Sequence, residues 1–416
     1  MNVDTSGPIS WRNWKAFEAG DPVLGTVELS LYSDAWFIAD APGHGPYSFL
    51  NAVPATGRGG MFALKPAIIL RVQDHMEEEH PDLKVTSDAD YHGGWLFDEI
   101  AALSALILGA RIMAGPVERE FGFDWPTQDP LGRPRRHAAD LLPWLPPSTK
   151  SPQIEQLQKQ KDLRRLARLS RFPRLKAEVA RTLVKSSRLY QQALWMADTA
   201  PETAWLLLVA AMETAAVQWD EDTATPADRL KLAYPKLEGA LAASSDPAIL
   251  DVVAHALRRL TRATGKFVDF GVTFAPEPPE RRPQWGRFDF ARESLQPALG
   301  QIYAYRSRAL HDGTPFPHPM CHPPFQHDED PEEVPAGLAS GSLGSTWLAA
   351  DTPMLLHTFA HIVRGALLNW WTALDPEAVE PTDVEAETEA HADADADAVA
   401  VDVDVDVDPN DASTSR

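Results

Sequence analysis

Five segments between Leu183 and Leu374 read as helices, and proline or glycine punctuates the chain between them. No other feature limits the fold so strongly, because helices with apolar faces can bury them only against one another. The first covers residues 183–198 and ends before Pro201. The second, residues 201–219, opens on a proline suited to a first turn and is so apolar that it belongs in the centre. The third, residues 247–267, turns Leu250, Val253, Leu257 and Leu260 inward. A proline-rich loop (274–283) leads to a fourth that ends at Gly313, and a fifth spans residues 351–374. Residues 183–375 are therefore expected to form an all-α bundle.

The preceding half has a different grammar. Residues 1–145 read as a mixed α/β domain, so the class is α+β overall. Val27, Leu29 and Leu31 alternate with Glu28 and Ser30, the period of a strand, and residues 68–72 form a second β-rich run. A helix is predicted over residues 95–113, because Leu96, Ile100, Leu103, Leu106 and Ile107 recur at helical spacing, with Gly115-Pro116 as its stop. Residues 146–182 combine a proline-rich linker, centred on 142–152, with a basic helical segment. There Leu163, Leu166, Leu169 and Phe172 fall on one side, surrounded by Arg164, Arg165, Arg168 and Arg171. Those arginines are either the solvated face of a packed helix or a surface that contacts RNA phosphates.

Charge separates body from tail. Of the formal net charge of -22, residues 375–416 carry -14, from 15 acids and one base. The body keeps 45 acids against 37 bases, which argues against broad non-specific nucleic-acid binding but leaves room for local basic patches. Residues 376–416 alternate Ala-Asp and Val-Asp, with little to bury, and are expected to be a disordered acidic tail. Cys321 is the single cysteine, which excludes an intramolecular disulfide and points to a reducing compartment. The N-terminus lacks a basic stretch followed by an apolar core, and no apolar run reaches about 18 residues. The expectation is a soluble, cytoplasmic protein with no membrane contact.

The segment richest in chemistry is LGQIYAYRSRALHDGTPFP, residues 299–317. Leu295, Leu299, Ile302, Arg306 and Ala309 follow one stripe, so Arg306 falls where burial is expected. An arginine there needs a carboxylate, such as Glu213, or an anionic ligand. His311 stands where Asp312-Gly313 and Pro315 end the helix, a position the helix dipole favours for a cation. Five residues of ideal helix turn about 500°, which leaves Arg306 and His311 about 140° apart. They converge only if the last turn relaxes or a second subunit supplies the opposite wall.

Ile302-Tyr303-x-x-Arg306-Ser307-x-x-x-His311-x-Gly313 resembles the signature of HEPN domains, an arginine separated by four to six residues from a histidine, and specifically the ApeA-like group. Supporting features are the helix pair with Arg188-Leu189-Tyr190, Trp195 and Glu213, then Arg262 and Lys266-Phe267, and the closing helix with Arg364. Asp312 departs from the family, where glycine more often follows the histidine, as does Ser307, where catalytic members often carry Asn or Asp. The resemblance implies a helical bundle, a homodimer along the motif helix, and metal-independent endoribonuclease activity, with several relatives acting as toxins or in antiviral defence. It implies Arg306 and His311 as catalytic residues, supported by Ser307, Glu213 and Tyr303, on a single-stranded or tRNA-like RNA. It also allows for an antitoxin or other partner protein. Histidine titrates near neutrality and arginine offers phosphate a fixed fork of donors, so the chemistry needs no cofactor.

Rival readings remain. A catalytically silent HEPN module that binds RNA or a nucleotide, or only dimerises, is favoured if Arg306 is tied to Glu213. A sensor or partner-binding role for residues 1–145 is favoured by a cleft lined with exposed Trp11, Trp14 or Trp36. His318, Cys321, His322 and His327 crowd one loop, but their spacing fits no standard zinc site, and no metal is expected.

Overall fold

The computed structural model describes residues 7–52, 64–76, 86, 91–122, 131–138, 141–145, 151–219, 225–243, 247–327 and 330–375. The expected tail, residues 376–416, lies outside them, as do residues 146–150 of the expected linker. Met1–Leu374 forms one compact unit, and the expected boundaries at 145 and 183 fall inside it. The class is α+β, with a sheet in the N-terminal part and helices in the C-terminal part.

The chain begins with α1 (Ile9–Ala19), then β1 (Gly25–Ser33), β2 (Trp36–Ile38), β3 (Ala41–His44), β4 (Tyr47–Asn51) and β5 (Lys65–Asp74). Next come α2 (Leu96–Leu108), β6 (Met113–Phe121), β7 (Arg133–Pro134) and β8 (Gln160–Asp162). Six strands make one antiparallel sheet in the order β3-β4-β5-β1-β6-β7, while β2 pairs in parallel with β8. Leu29 and Leu31 of β1 and Ile68, Leu70 and Val72 of β5 are buried, so both expected strands form.

The helix predicted over residues 95–113 is shorter. It stops at Leu108 because Gly109 takes the left-handed conformation (φ 61°) and returns its N–H to the Ala105 carbonyl. The predicted stop, Gly115-Pro116, lies inside β6 instead. There Leu29 pairs with Val117 and Leu31 with Ala114, an irregularity that takes up the proline without asking it for a ladder N–H. Eleven of the 13 residues of α2 are buried, as expected of a helix covered all round. Glu99 of α2 is fully buried and accepts the backbone N–H groups of Ile9 (3.1 Å) and Ser10 (2.6 Å), supplying the first turn of α1 with the acceptor it lacks locally.

The basic segment is not an α-helix but a run of 3₁₀ turns, Leu163–Arg174. Leu163, Leu166, Leu169 and Phe172 are all buried, and a strict spacing of three is the period of that tighter helix. The bundle follows as α3 (Ala177–Met196), α4 (Pro201–Gln218), α5 (Pro226–Ala233), α6 (Pro235–Ala242), α7 (Pro247–Thr273), α8 (Arg292–His311) and α9 (Leu356–Ala373). The expected five helices correspond to α3, α4, α7, α8 and α9, and α5 and α6 are additional. Between α8 and α9 lie two short hairpins, β9 (Gln326–His327) with β10 (Asp330–Pro331) and β11 (Ala339–Ser342) with β12 (Ser345–Leu348). Trp205 of α4 stacks between Phe316 and Phe359 at 5.4 and 4.9 Å, which places α4 at the centre of the bundle. Among the described residues, no helix is long and apolar enough to cross a membrane.

Candidate functional site at the end of α8

Three helices fix the site. Gly271 of α7 faces Leu299 of α8 and Met212 of α4 so closely that an added Cβ would stand 2.6 Å from the Leu299 side chain. One turn earlier, Phe267 packs against Tyr303 with ring centroids 5.1 Å apart. Leu295, Leu299 and Ile302 are fully buried on the same stripe of α8, and Arg306 continues it at the margin of the core.

At that margin Arg306 meets the acid that the sequence placed opposite it. Its Nη2 donates to Glu213 Oε2 at 3.0 Å, and the Tyr303 hydroxyl donates to Glu213 Oε1 at 2.7 Å. The guanidinium lies over the Tyr303 ring, 5.5 Å from its centroid. Burial first, and the bond to Glu213 second, hold the Tyr303 hydroxyl well above its usual pKa, so it stays a proton donor. The side chains of Arg306 and Glu213 remain 24% and 22% exposed, and the pair engages one guanidinium edge only. Ser307 is half-buried beside them.

His311 is exposed and makes no hydrogen bond or ion pair among the described residues. The helix stays regular to this point: Asp312 and Thr314 both donate to the Arg308 carbonyl, and Gly313 turns left-handed (φ 67°) only afterwards. The last turn does not relax, so Arg306 and His311 of one chain keep their divergence of about 140°. Two residues outside the expected set lie nearer to His311, the exposed Arg308 and the buried Tyr305. The Arg308 guanidinium lies over the Tyr305 ring at 4.6 Å. The spacing of three from Tyr305 to Arg308 to His311 was the signal available for them.

Other expected features hold the fold together. Arg188 donates to the His92 and Gly93 carbonyls, where the chain enters α2. Arg364 donates to the Leu106 and Ile107 carbonyls at the end of α2. The side chain of Arg262 lies outside the described residues. In the basic segment, Arg164 pairs with Asp162 and is exposed, whereas Arg168 donates to Thr372 and lies over Trp371, 5.7 Å from its ring. Arg165 is exposed and Arg171 half-buried. These four arginines lie on the 3₁₀ run, and Arg168 is engaged in packing against α9.

The tryptophan-lined cleft is not formed by Trp11 and Trp14. Both are core residues, 6% and 3% exposed, and Trp36 is half-buried with Lys65 over its ring. The crowded loop holds a His318–His322 contact at 3.0 Å, and Cys321 is buried, its thiol pushed up to about 12 by burial and by Glu202. No group of three or more metal-ligating side chains converges among the described residues. Comparison with protein-family models, with curated proteins and with solved structures finds no match to this chain.

Proposed function

We propose that the helical part is a HEPN-type module that cleaves RNA without a metal, acts as a homodimer in a reducing cytoplasm, and serves as a toxin or in antiviral defence. One observation carries the reading: Arg306 is held on Glu213 at the bundle margin with part of its guanidinium exposed, while His311, on the final turn of the same helix, is exposed and has no partner among the described residues. Cleavage needs a base to take the proton of the ribose 2′-hydroxyl as its oxygen attacks phosphorus. It also needs an acid to protonate the departing 5′-oxygen, leaving a cyclic phosphate and a free hydroxyl. Histidine performs either proton transfer near neutral pH, and the guanidinium stabilises the charge that gathers on the phosphorane oxygens. Because α8 keeps Arg306 and His311 about 140° apart, a second copy is required to bring an arginine from one chain toward a histidine from the other.

The second reading, a silent module that binds RNA or dimerises without cutting, is favoured by the Arg306–Glu213 pair itself. Incubating total tRNA and a mixed-sequence RNA with the full chain in EDTA separates the two. Cleavage that disappears in both Arg306→Ala and His311→Ala, with the dimer mass intact, supports the nuclease. RNA retention without cleavage by the wild type moves the assignment to the silent module; a dimer that neither retains nor cuts RNA leaves only its dimerising form, and a monomer that does neither rejects both.

A further inference from the structure

The last turns of α8 carry a guanidinium better placed for His311 than Arg306 is. Along an α-helix, residues three apart lie about 60° from one another, so Arg308 sits between Tyr305 and His311, about 60° from each. Arg306 points about 140° away from His311. Within a single chain, the cation that shares a surface with the exposed histidine is therefore Arg308.

Arg308 is also pre-oriented. Its guanidinium lies over Tyr305, a residue 6% exposed whose ring is backed by Phe316 at 6.1 Å. The Tyr305 hydroxyl donates to the Asp351 carbonyl and accepts from Gln301 Nε2 at 2.8 Å, so the platform cannot turn. A guanidinium that lies over the ring and also bonds the Tyr305 hydroxyl is held in place and, being exposed, still offers donors to phosphate oxygens. Its own carbonyl anchors the helix end by accepting from Asp312 at 2.9 Å and Thr314 at 3.3 Å. Unlike Arg164, Arg282 and Arg306, Arg308 makes no ion pair among the described residues, and neighbouring Asp312 makes none either. In a chain of net charge -22, an exposed arginine over an aromatic ring, with no acid partner among the described residues, is suited to bind an anion.

We infer that Arg308 binds the RNA phosphodiester alongside His311, with Tyr305 as the positioning residue that holds its guanidinium. The inference rests on the RNA reading above and extends it: each chain presents its own phosphate-binding pair, and Arg306 serves the partner's side or the fold.

The test uses the full chain and a fluorescein-labelled single-stranded mixed-sequence RNA, with binding measured across a salt series and cleavage in EDTA. Arg308→Ala is expected to weaken binding about tenfold and raise KM more than it lowers kcat, with the log Kd against log salt slope shallower by about one. Arg308→Lys should restore the slope but not the full affinity, because the charge returns without the fork. Arg292→Ala removes the same charge from an exposed position about 24 Å away along the helix and is the control. If Arg308→Ala matches Arg292→Ala in affinity and slope, the inference is overturned while RNA cleavage by the wild type still stands. If the wild type neither binds nor cuts RNA, the functional reading fails first and takes the inference with it.

Discussion

Replacing Glu213 by alanine strips two partners at once, and the structure sets the size of the effect. The Tyr303 hydroxyl, on a residue only 7% exposed, loses an acceptor at 2.7 Å, which costs about 1.5–2 kcal/mol. Arg306 loses a carboxylate at 3.0 Å, but both side chains are about a quarter exposed, so water replaces most of that pair and the cost is about 0.5–1 kcal/mol. The sum is about 2–3 kcal/mol. Unfolding entropy of ~2.1 cal/mol/K per residue over the unit Met1–Leu374 amounts to roughly 0.8 kcal/mol/K, so the Tm should fall by ~3 °C. Glu213→Gln keeps an acceptor for Tyr303 and should lose less than half as much. Differential scanning calorimetry of both variants, of Tyr303→Phe and of the Glu213→Ala/Tyr303→Phe double variant gives the coupling directly. A Glu213→Ala protein within 0.5 °C of wild type (~0.4 kcal/mol on the same conversion), or a double variant whose losses simply add, would refute the reasoning.

Three further outcomes follow from the packing. Arg111 is fully buried, with Nη1 on Asp34 at 2.7 Å, Nε on the Leu194 carbonyl at 2.8 Å, and Asp198 as a third partner. Arg111→Met leaves the buried carboxylates without their cation and should cost about 3–5 kcal/mol, read as a Tm loss of ~4–6 °C, with much of it recovered when Asp34 and Asp198 become Asn. His357 and His361 both have pKa values lowered, by burial first, so the unfolded chain takes protons that the folded chain refuses. Their contribution is complete above the unfolded value of about 6.5 and is lost as pH falls below it, so the Tm difference between wild type and a His357→Gln/His361→Gln variant should shrink from pH 7.5 to pH 5.5. At the tip of the β11–β12 hairpin, Leu343 has φ 50° and Gly344 φ 79°, and the leucine is 83% exposed. Leu343→Asn should stabilise the hairpin by about 1 kcal/mol, seen as slower amide exchange in residues 339–348, because a left-handed leucine is strained and this one buries nothing.

The helical half was legible because its signals are local. Apolar periodicity placed α3, α4, α7, α8 and α9, and proline at Pro201 and Pro247 marked two starts. The misreadings arose where two local signals competed. Gly115-Pro116 looks like a stop, yet Gly109 six residues earlier ends α2, and a bulge opposite Ser30 lets the proline sit within a strand. The spacing of three from Leu163 to Phe172 passes for an α-helical face, although an α-helix drifts about 60° at each such step and the 3₁₀ run does not drift at all.

The site divides along the same line. That Arg306 needs Glu213 was readable, because an arginine on one apolar stripe and an acid in a nearly apolar helix have few other partners. The structural tasks of Arg188 and Arg364 were not, because both donate to carbonyls at the two ends of α2, which lie far away in sequence. Whether His311 faces Arg306 or Arg308 was also beyond the sequence, since each residue of lost helix rotates a side chain by about 100°. Gly313 decides it. With the left-handed turn placed after Asp312, His311 stays in register, diverges from Arg306 and lies nearer to Arg308. A glycine two residues earlier would unwind the turn that carries the histidine, so the chemistry proposed for this helix depends on where its C-terminal cap falls as much as on the residues it displays.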